Sequence, residues 1–215
     1  MPSDEGDAPR PRTVNTRDEL LRVATRLFGD RGYAATSLDA VVSAAGVTKG
    51  ALYHHFSGKR DLFAAVFENY EQDVLAENAR RSGGTALAER HADGLRHYLE
   101  VARDPHYVQI VLRDAPSVLG WTAQEPKNRP GFPLLTDLVR RIVGPERGLD
   151  EATLTMLTRM LFSAMQTASS SVSVAEDPEA EIALAERGMH LLIAALHQIG
   201  QSDADIDAVA SGYSG

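Results

Sequence analysis

Nine residues between positions 36 and 59 are the ones best suited to meet a polyanion: Thr36, Ser37, Thr48, Lys49, Gly50, Tyr53, His54, His55 and Lys59. Two of them sit badly in a helix built only to be stable. Lys49 falls in a first helical turn, where a cation is unfavourable beside the positive helix end. Gly50 costs roughly 1 kcal/mol relative to alanine inside a helix. A helix that presses its backbone against a duplex and offers Lys, Tyr and His to it accepts both. Each residue also has a plainer reading, with Tyr53 as a half-buried core residue and His54 and His55 as solvated polar positions.

The elements that must hold these groups are legible around them. Ser37 is a good N-cap, and Leu38, Val41, Val42 and Ala45 then fall at helical spacing on one apolar face. Gly46 stands where the chain must leave that helix, because a residue without Cβ enters the left-handed region cheaply. Val47 can plug the gap, Thr48 caps a second helix, and Leu52 and Phe56 give it a narrow buried stripe. The pattern is a helix-turn-helix, in which the first helix supports and the second lies against a DNA groove. Gly50 and His54 lie roughly opposite the buried stripe, while Tyr53 and His55 flank it. Upstream, Thr16 and Glu19 have the form of a capping box, and Leu20, Val23, Ala24, Leu27 and Phe28 carry a helix to about Asp30. Thr36 and Ser37 put hydroxyls and backbone N–H groups at a helix N-terminus, which suits a phosphate.

Net charge first argues against DNA, at −8 for the 215 residues, but its distribution reverses the argument. From Arg10 to Arg60 nine Lys/Arg face four Asp/Glu, a local charge of +5, whereas residues 61–215 carry −10. Phosphate contacts need local cations, not a basic whole.

The residues Phe28, Gly32, Tyr33, Thr36, Ser37, Ala45, Gly46, Val47, Thr48, Gly50, Leu52, Tyr53, His55, Phe56, Lys59 and Leu62 run in order and without a gap. On them, the segment resembles the N-terminal domain of the TetR family of bacterial transcriptional regulators. The resemblance covers roughly the first third of the chain. It implies an all-α fold with an N-terminal three-helix helix-turn-helix domain and a larger helical body, about nine helices in all. It also implies a homodimer, a double-stranded DNA operator and a small-molecule effector held in the body. Lys49, Gly50 and His54 are then assigned to the base-facing surface. Tyr53, His55, Lys59, Thr36, Ser37 and Thr48 are assigned to the phosphates, Lys59 because the matching lysine of the family contacts one.

Domain boundaries follow as 12–60 for DNA binding and 61–200 for effector binding and dimerisation, with 1–11 and 201–215 expected to be disordered tails. The spacing predicts helices over 60–78, 86–103, a short one through Leu112, 133–143, 151–174 and 178–199. The Pro/Gly-rich stretch 113–132 reads as a loop or broken helix. Candidate pocket residues are Leu95, Tyr98, Tyr107, Leu112, Trp121, Phe132, Met156, Met160, Phe162, Met165 and Gln166, most of which read more readily as core. Few buried charges are visible, which points to a largely apolar effector. The last two long helices resemble the pair that dimerises in the family, with Met165, Ala168, Val172, Met189, Leu192 and Leu196 as interface candidates.

Other chemistry finds no motif. There are no cysteines for disulfides, thiolate zinc sites or a thiol nucleophile. There is no phosphate-binding glycine loop and no H-E-x-x-H. His190 and His197, seven apart on one helix, would need a third ligand to hold a metal. Neither cofactor nor metal nor enzymatic activity is expected. With no membrane-length apolar run and no signal-like N-terminus, a cytoplasmic location is expected. The alternative is an all-helical small-molecule carrier or enzyme that keeps the helix-turn-helix as scaffold.

Overall fold

The computed structural model describes residues 16–81, 87–125, 128–144 and 149–201, excluding the side chains of 87–92, 121–124 and 199–201. The expected tail 1–11 lies outside these residues, and of 201–215 only Gln201 is described, at the end of a helix. Within them are ten α-helices and one π-helical segment. In order they are α1 (Thr16–Ala35), α2 (Leu38–Ala45), α3 (Lys49–His55), α4 (Lys59–Arg81), α5 (Leu87–Val101), α6 (Pro105–Tyr107), the π segment (Val108–Asp114), α7 (Ala115–Gln124), α8 (Phe132–Val143), α9 (Glu151–Val172) and α10 (Pro178–Gln201). No helix among the described residues is long and apolar enough to cross a membrane.

The head is α1 to α3 with the first turns of α4. The apolar stripe of α1 is buried as its spacing predicts, and Phe28 meets Phe63 of α4 edge to face at 5.1 Å, with Tyr33 packed on both rings. Such aromatic pairs add about 0.5–1.5 kcal/mol beyond the area they bury. Gly32, at φ 77, breaks α1 two residues beyond its expected end at about Asp30. Ser37 caps α2, its hydroxyl accepting from Ala40 N at 3.1 Å. At the other end Gly46 takes φ 65, and its N–H reaches the Val42 and Ser43 carbonyls that the helix leaves unpaired. Thr48 caps α3 in the same way, accepting from Ala51 N.

Of the two readings of 113–132, the described residues show the broken helix, α7. Pro116 falls in the first turn of α7, and Gly120 absorbs a break at φ 77. The segment after α6 continues to Asp114 as a π-helix, with wider turns than the α-helix expected through Leu112.

Head and body meet through this segment. α1 packs against α6 and the π segment. Asp114 Oδ2 accepts from the Tyr33 backbone N–H at 2.7 Å and from Gln109 Nε2 at 3.0 Å. His106 Nε2 lies 2.9 Å from Asp30 Oδ1. The contact is close because residue 29 is glycine; a Cβ there would come within 2.4 Å of the His106 ring. Arg60, at the start of α4, donates to the carbonyls of Val118 and Leu119, both at 3.0 Å. In the body, α8, α9 and α10 pack on one another and α5 packs on α9 and α10. Val139, Val143, Leu154, Leu161, Ile182 and Met189 form part of the shared core.

Candidate nucleic-acid interface

α3 is a short helix held by its ends. Leu52 is fully buried, Phe56 closes the helix beneath it, and Thr48 caps the start. The rest turns outward: Thr48, Lys49, Gly50, Tyr53 and His54 are exposed and His55 is half-buried. The two imidazoles meet edge to face at 5.1 Å. A Cβ at Gly50 would touch only Thr48 Oγ1, at 3.8 Å, so nothing within the described chain demands a glycine there. The bare backbone is open to an outside partner.

The cations around α3 are anchored rather than loose. Lys49 Nζ is 2.7 Å from Asp39 Oδ1, and that hydrogen bond holds the ammonium above its ordinary pKa. Asp39 therefore supplies the acid that the first turn of α3 lacks, and the oddity of Lys49 has an internal answer as well as an external one. Lys59 sits 4.2 Å over the Tyr33 ring and donates to Ala34 O at 3.3 Å, which fixes its charge at the junction of α1 and α4. It can precede Asp61, whose carboxylate accepts from Ser57 N at 2.8 Å and from the Ser57 hydroxyl. The first turn of α4 thus has an acid of its own, two residues on.

Thr36 requires a correction. It is 2% exposed, its hydroxyl lies 2.9 Å from Gly32 O and 3.0 Å from Leu27 O, and its N–H goes to Tyr33 O. Its donors are spent sealing the broken end of α1, so its side chain is unavailable to a phosphate. Ser37, one residue on, is exposed and caps α2.

Two family models match this chain in succession. Residues 20–66 match the bacterial regulatory proteins of the tetR family, and residues 88–196 match the tetracyclin repressor-like C-terminal domain. A solved TetR-family transcriptional regulator from Pectobacterium atrosepticum is 32% identical, with a TM-score of 0.62, over 84% of this chain and 93% of that one. The chain belongs to the TetR family. Among curated members, the transcriptional regulator AcrR of Shigella flexneri is 48% identical over 59 residues, 27% of each chain. The transcriptional repressor KstR2 of Mycolicibacterium smegmatis is 35% identical over 94 residues, 39% of this chain and 46% of that one. The chain thus spans less than half the length of these two curated relatives.

In this TetR-family body the candidate pocket residues separate. Leu95, Tyr107, Phe132 and Phe162 are buried, and Tyr98, Leu112, Met165 and Gln166 are half-buried. Met156 and Met160 are not pocket walls: Met160 is 63% exposed, on the outer face of α9. The Trp121 side chain lies outside the described residues. The expectation of few buried charges is overturned. Arg129, 3% exposed, pairs through two N–H groups with the Glu71 carboxylate, and its guanidinium lies 4.8 Å from the Phe67 ring centroid and 5.5 Å from that of Phe162. Burial pushes the Glu71 carboxyl up, as it does the Tyr98 and Tyr107 phenols beside the pair. Arg129 Nη1 has no hydrogen-bond partner among the described residues. Sequence reasoning missed this ion pair because Arg129 stands in a proline-glycine stretch read as loop. The one signal was the position of Glu71, a single turn beyond the apolar Phe67.

The interface candidates also need correction. Val172 and Met189 are buried within the chain, because their stripe packs α9 against α10. Met165, Ala168 and Leu196 are half-buried, and Leu192 is exposed. Leu192 shares its outward apolar face with residues outside that set: Met156 and Met160 on α9 and Leu184 and Leu191 on α10, where Gly188 and Ala195 also face solvent. Leu184, Gly188, Leu191 and Ala195 recur at helical spacing, a signal the sequence offered.

Proposed function

We propose that the protein is a homodimeric, ligand-responsive transcriptional repressor that reads a palindromic operator. The observation that carries this reading is the outward face of α3, where Lys49, bare Gly50, Tyr53 and His54 are presented together on a capped, buried-stripe helix. Such a helix fits a major groove, with Lys49 and His54 towards base edges and Tyr53, His55, Lys59, Ser37 and Thr48 towards phosphates. Two copies joined through the exposed leucines and methionines of α9 and α10 would set two α3 helices on half-sites about 34 Å apart or somewhat more. Membership of the family, and the name of KstR2 as a repressor, support the direction of control. They do not favour a carrier or enzyme that keeps the helix-turn-helix as scaffold.

Release follows from the head-to-body joint. An effector in the body among Tyr98, Tyr107, Phe132 and Phe162 meets aromatic walls and the Glu71–Arg129 pair, so it needs a polar group as well as an apolar frame. Glu71 lies on α4, the helix whose first turns belong to the head. A ligand that binds better when α4 is displaced shifts the population towards heads wrongly spaced for the operator. A cytoplasmic location belongs to the same reading.

The test is fluorescence anisotropy with labelled DNA from upstream of the protein's own gene, over a salt series. The wild type binds a specific duplex with a steep salt dependence. Lys59→Ala weakens binding to all sequences and lowers the salt slope by about 1. A protein that binds no duplex in a salt-sensitive manner contradicts the proposal, and an unchanged slope removes Lys59 from the phosphate contacts.

A further inference from the structure

Between residues 38 and 55 the helix-turn-helix carries a single acid, Asp39. Its place is unexpected, because a carboxylate on a face that meets phosphates opposes them. Glu19, Asp30 and Asp61 face Arg22, His106 and Ser57, away from α3. The Asp39 side chain lies outward: it is 68% exposed, and that of Lys49, its partner at 2.7 Å, is 66% exposed. Helix stability explains little of this. Ser37 already caps α2, and an ion pair so exposed adds almost nothing to a fold.

The pair sets a donor and an acceptor side by side. Asp39 lies in the first turn of α2 and Lys49 in that of α3, and both helices are fixed at those ends by their caps. The ammonium gives one of its three N–H groups to Asp39 and has two left, and the carboxylate keeps lone pairs for a second donor. Gly50, next along α3, has no side chain to hold a duplex away from them. In the major groove guanine shows two acceptors, O6 and N7, and its cytosine shows the N4 amino donor. With the ammonium over guanine and the carboxylate over cytosine, both halves of the base pair are met. C·G and A·T turn an amino group towards the ammonium and a carbonyl oxygen towards the carboxylate, so both halves are opposed. T·A satisfies both, yet gives the ammonium one acceptor where guanine gives two.

We infer that Asp39 is a specificity-determining residue, which with Lys49 reads one G·C base pair of the operator. Lys49 donates to guanine O6 and N7, and the Asp39 carboxylate accepts from the cytosine N4 amino group. The inference rests on the operator reading and adds to it a residue of α2 that touches a base. It also gives the misplaced charge a purpose. On any other sequence the carboxylate meets no amino group in that position and is left facing the duplex, so unrelated DNA is bound less well.

The experiment is selection of duplexes from a randomised library by the full-length protein, followed by fluorescence anisotropy on the selected duplex and its single-base-pair variants. Wild type, Asp39→Ala and Lys49→Ala are compared. Wild type is expected to select G·C at one position of each half-site. Asp39→Ala is expected to lower the preference for G·C over A·T and C·G there by about tenfold. It should leave the other positions as they were and bind unrelated duplex more tightly. Lys49→Ala should flatten the same position. A duplex whose selected cytosine is replaced by 2-pyrimidinone, which lacks the amino group, tests the contact itself. The replacement should weaken wild type by about tenfold more than it weakens Asp39→Ala. A role exerted only through Lys49, or through the stability of α2, does not produce that difference. Base preferences unmoved by Asp39→Ala, a change at a position that Lys49→Ala does not touch, or equal sensitivity of the two proteins to 2-pyrimidinone overturns the inference and leaves the operator reading standing. A wild type that selects no duplex overturns the operator reading, and this inference falls with it.

Discussion

The seven-residue α3 and the core around Arg129 dispose of polar groups in opposite ways. In α3 the chain buries Leu52 and closes with Phe56, then turns an ammonium, a phenol and an imidazole outward. Each of those groups is solvated, so their arrangement costs the fold little, and the helix stands on its caps and one apolar stripe. Around Arg129 a guanidinium and a carboxylate are withdrawn from water between Phe67 and Phe162, and only their mutual contact makes this tolerable. The outward arrangement can be altered residue by residue to suit a new partner. The buried one can be altered only in pairs.

Breaking the buried pair gives the largest expected effect. Arg129→Ala leaves Glu71 buried without its partner and costs about 3–5 kcal/mol by urea denaturation, whereas Arg129→Met combined with Glu71→Met restores most of it. A loss below about 1 kcal/mol for the single variant would show that water reaches the pair and that the contrast with α3 is overdrawn. Next comes the exposed strip of α10. Leu191, 68% exposed in the single chain, is expected to lie at the centre of the subunit contact. Leu191→Glu should weaken dimerisation by about 2 kcal/mol or more in sedimentation equilibrium; a dimer of unchanged strength moves the interface elsewhere. On α3 itself, His54→Ala should change discrimination at one base position by roughly 1–3 kcal/mol in a randomised operator selection. A uniform loss across all sequences would instead make His54 a phosphate contact. The smallest effect belongs to the caps. Ser37→Ala and Thr48→Ala each remove an acceptor for a helix N–H and should lower stability by about 1 kcal/mol in thermal melts. A negligible change for Thr48→Ala would show that α3 is held by Leu52 and Phe56 alone.

The head was readable because its determinants are local. Ser37, Gly46 and Thr48 act on residues three or four positions away, so their cap and turn roles follow from spacing. Thr36 was misread since a buried hydroxyl and an exposed one are the same letter, and only the bend at Gly32 turns this one inward. The body was legible as helices but not as a site. Pairing Glu71 with Arg129 depends on contacts across 58 positions of chain. Two apolar faces compete on α9 and α10, and periodicity finds both without saying that Val172 and Met189 close the monomer while Leu184 and Leu191 are left outside.

The ring of His106 occupies the space that any side chain at position 29 would need. At this point the imidazole of the body rests on naked main chain of the head, and the seat there is as thin as a peptide allows. One methyl group added at Gly29 would act as a shim, displacing the imidazole from Asp30 and tilting the head. In a paired molecule the same shim is inserted twice, so an offset too small to notice in one subunit is doubled in the distance between the two tips.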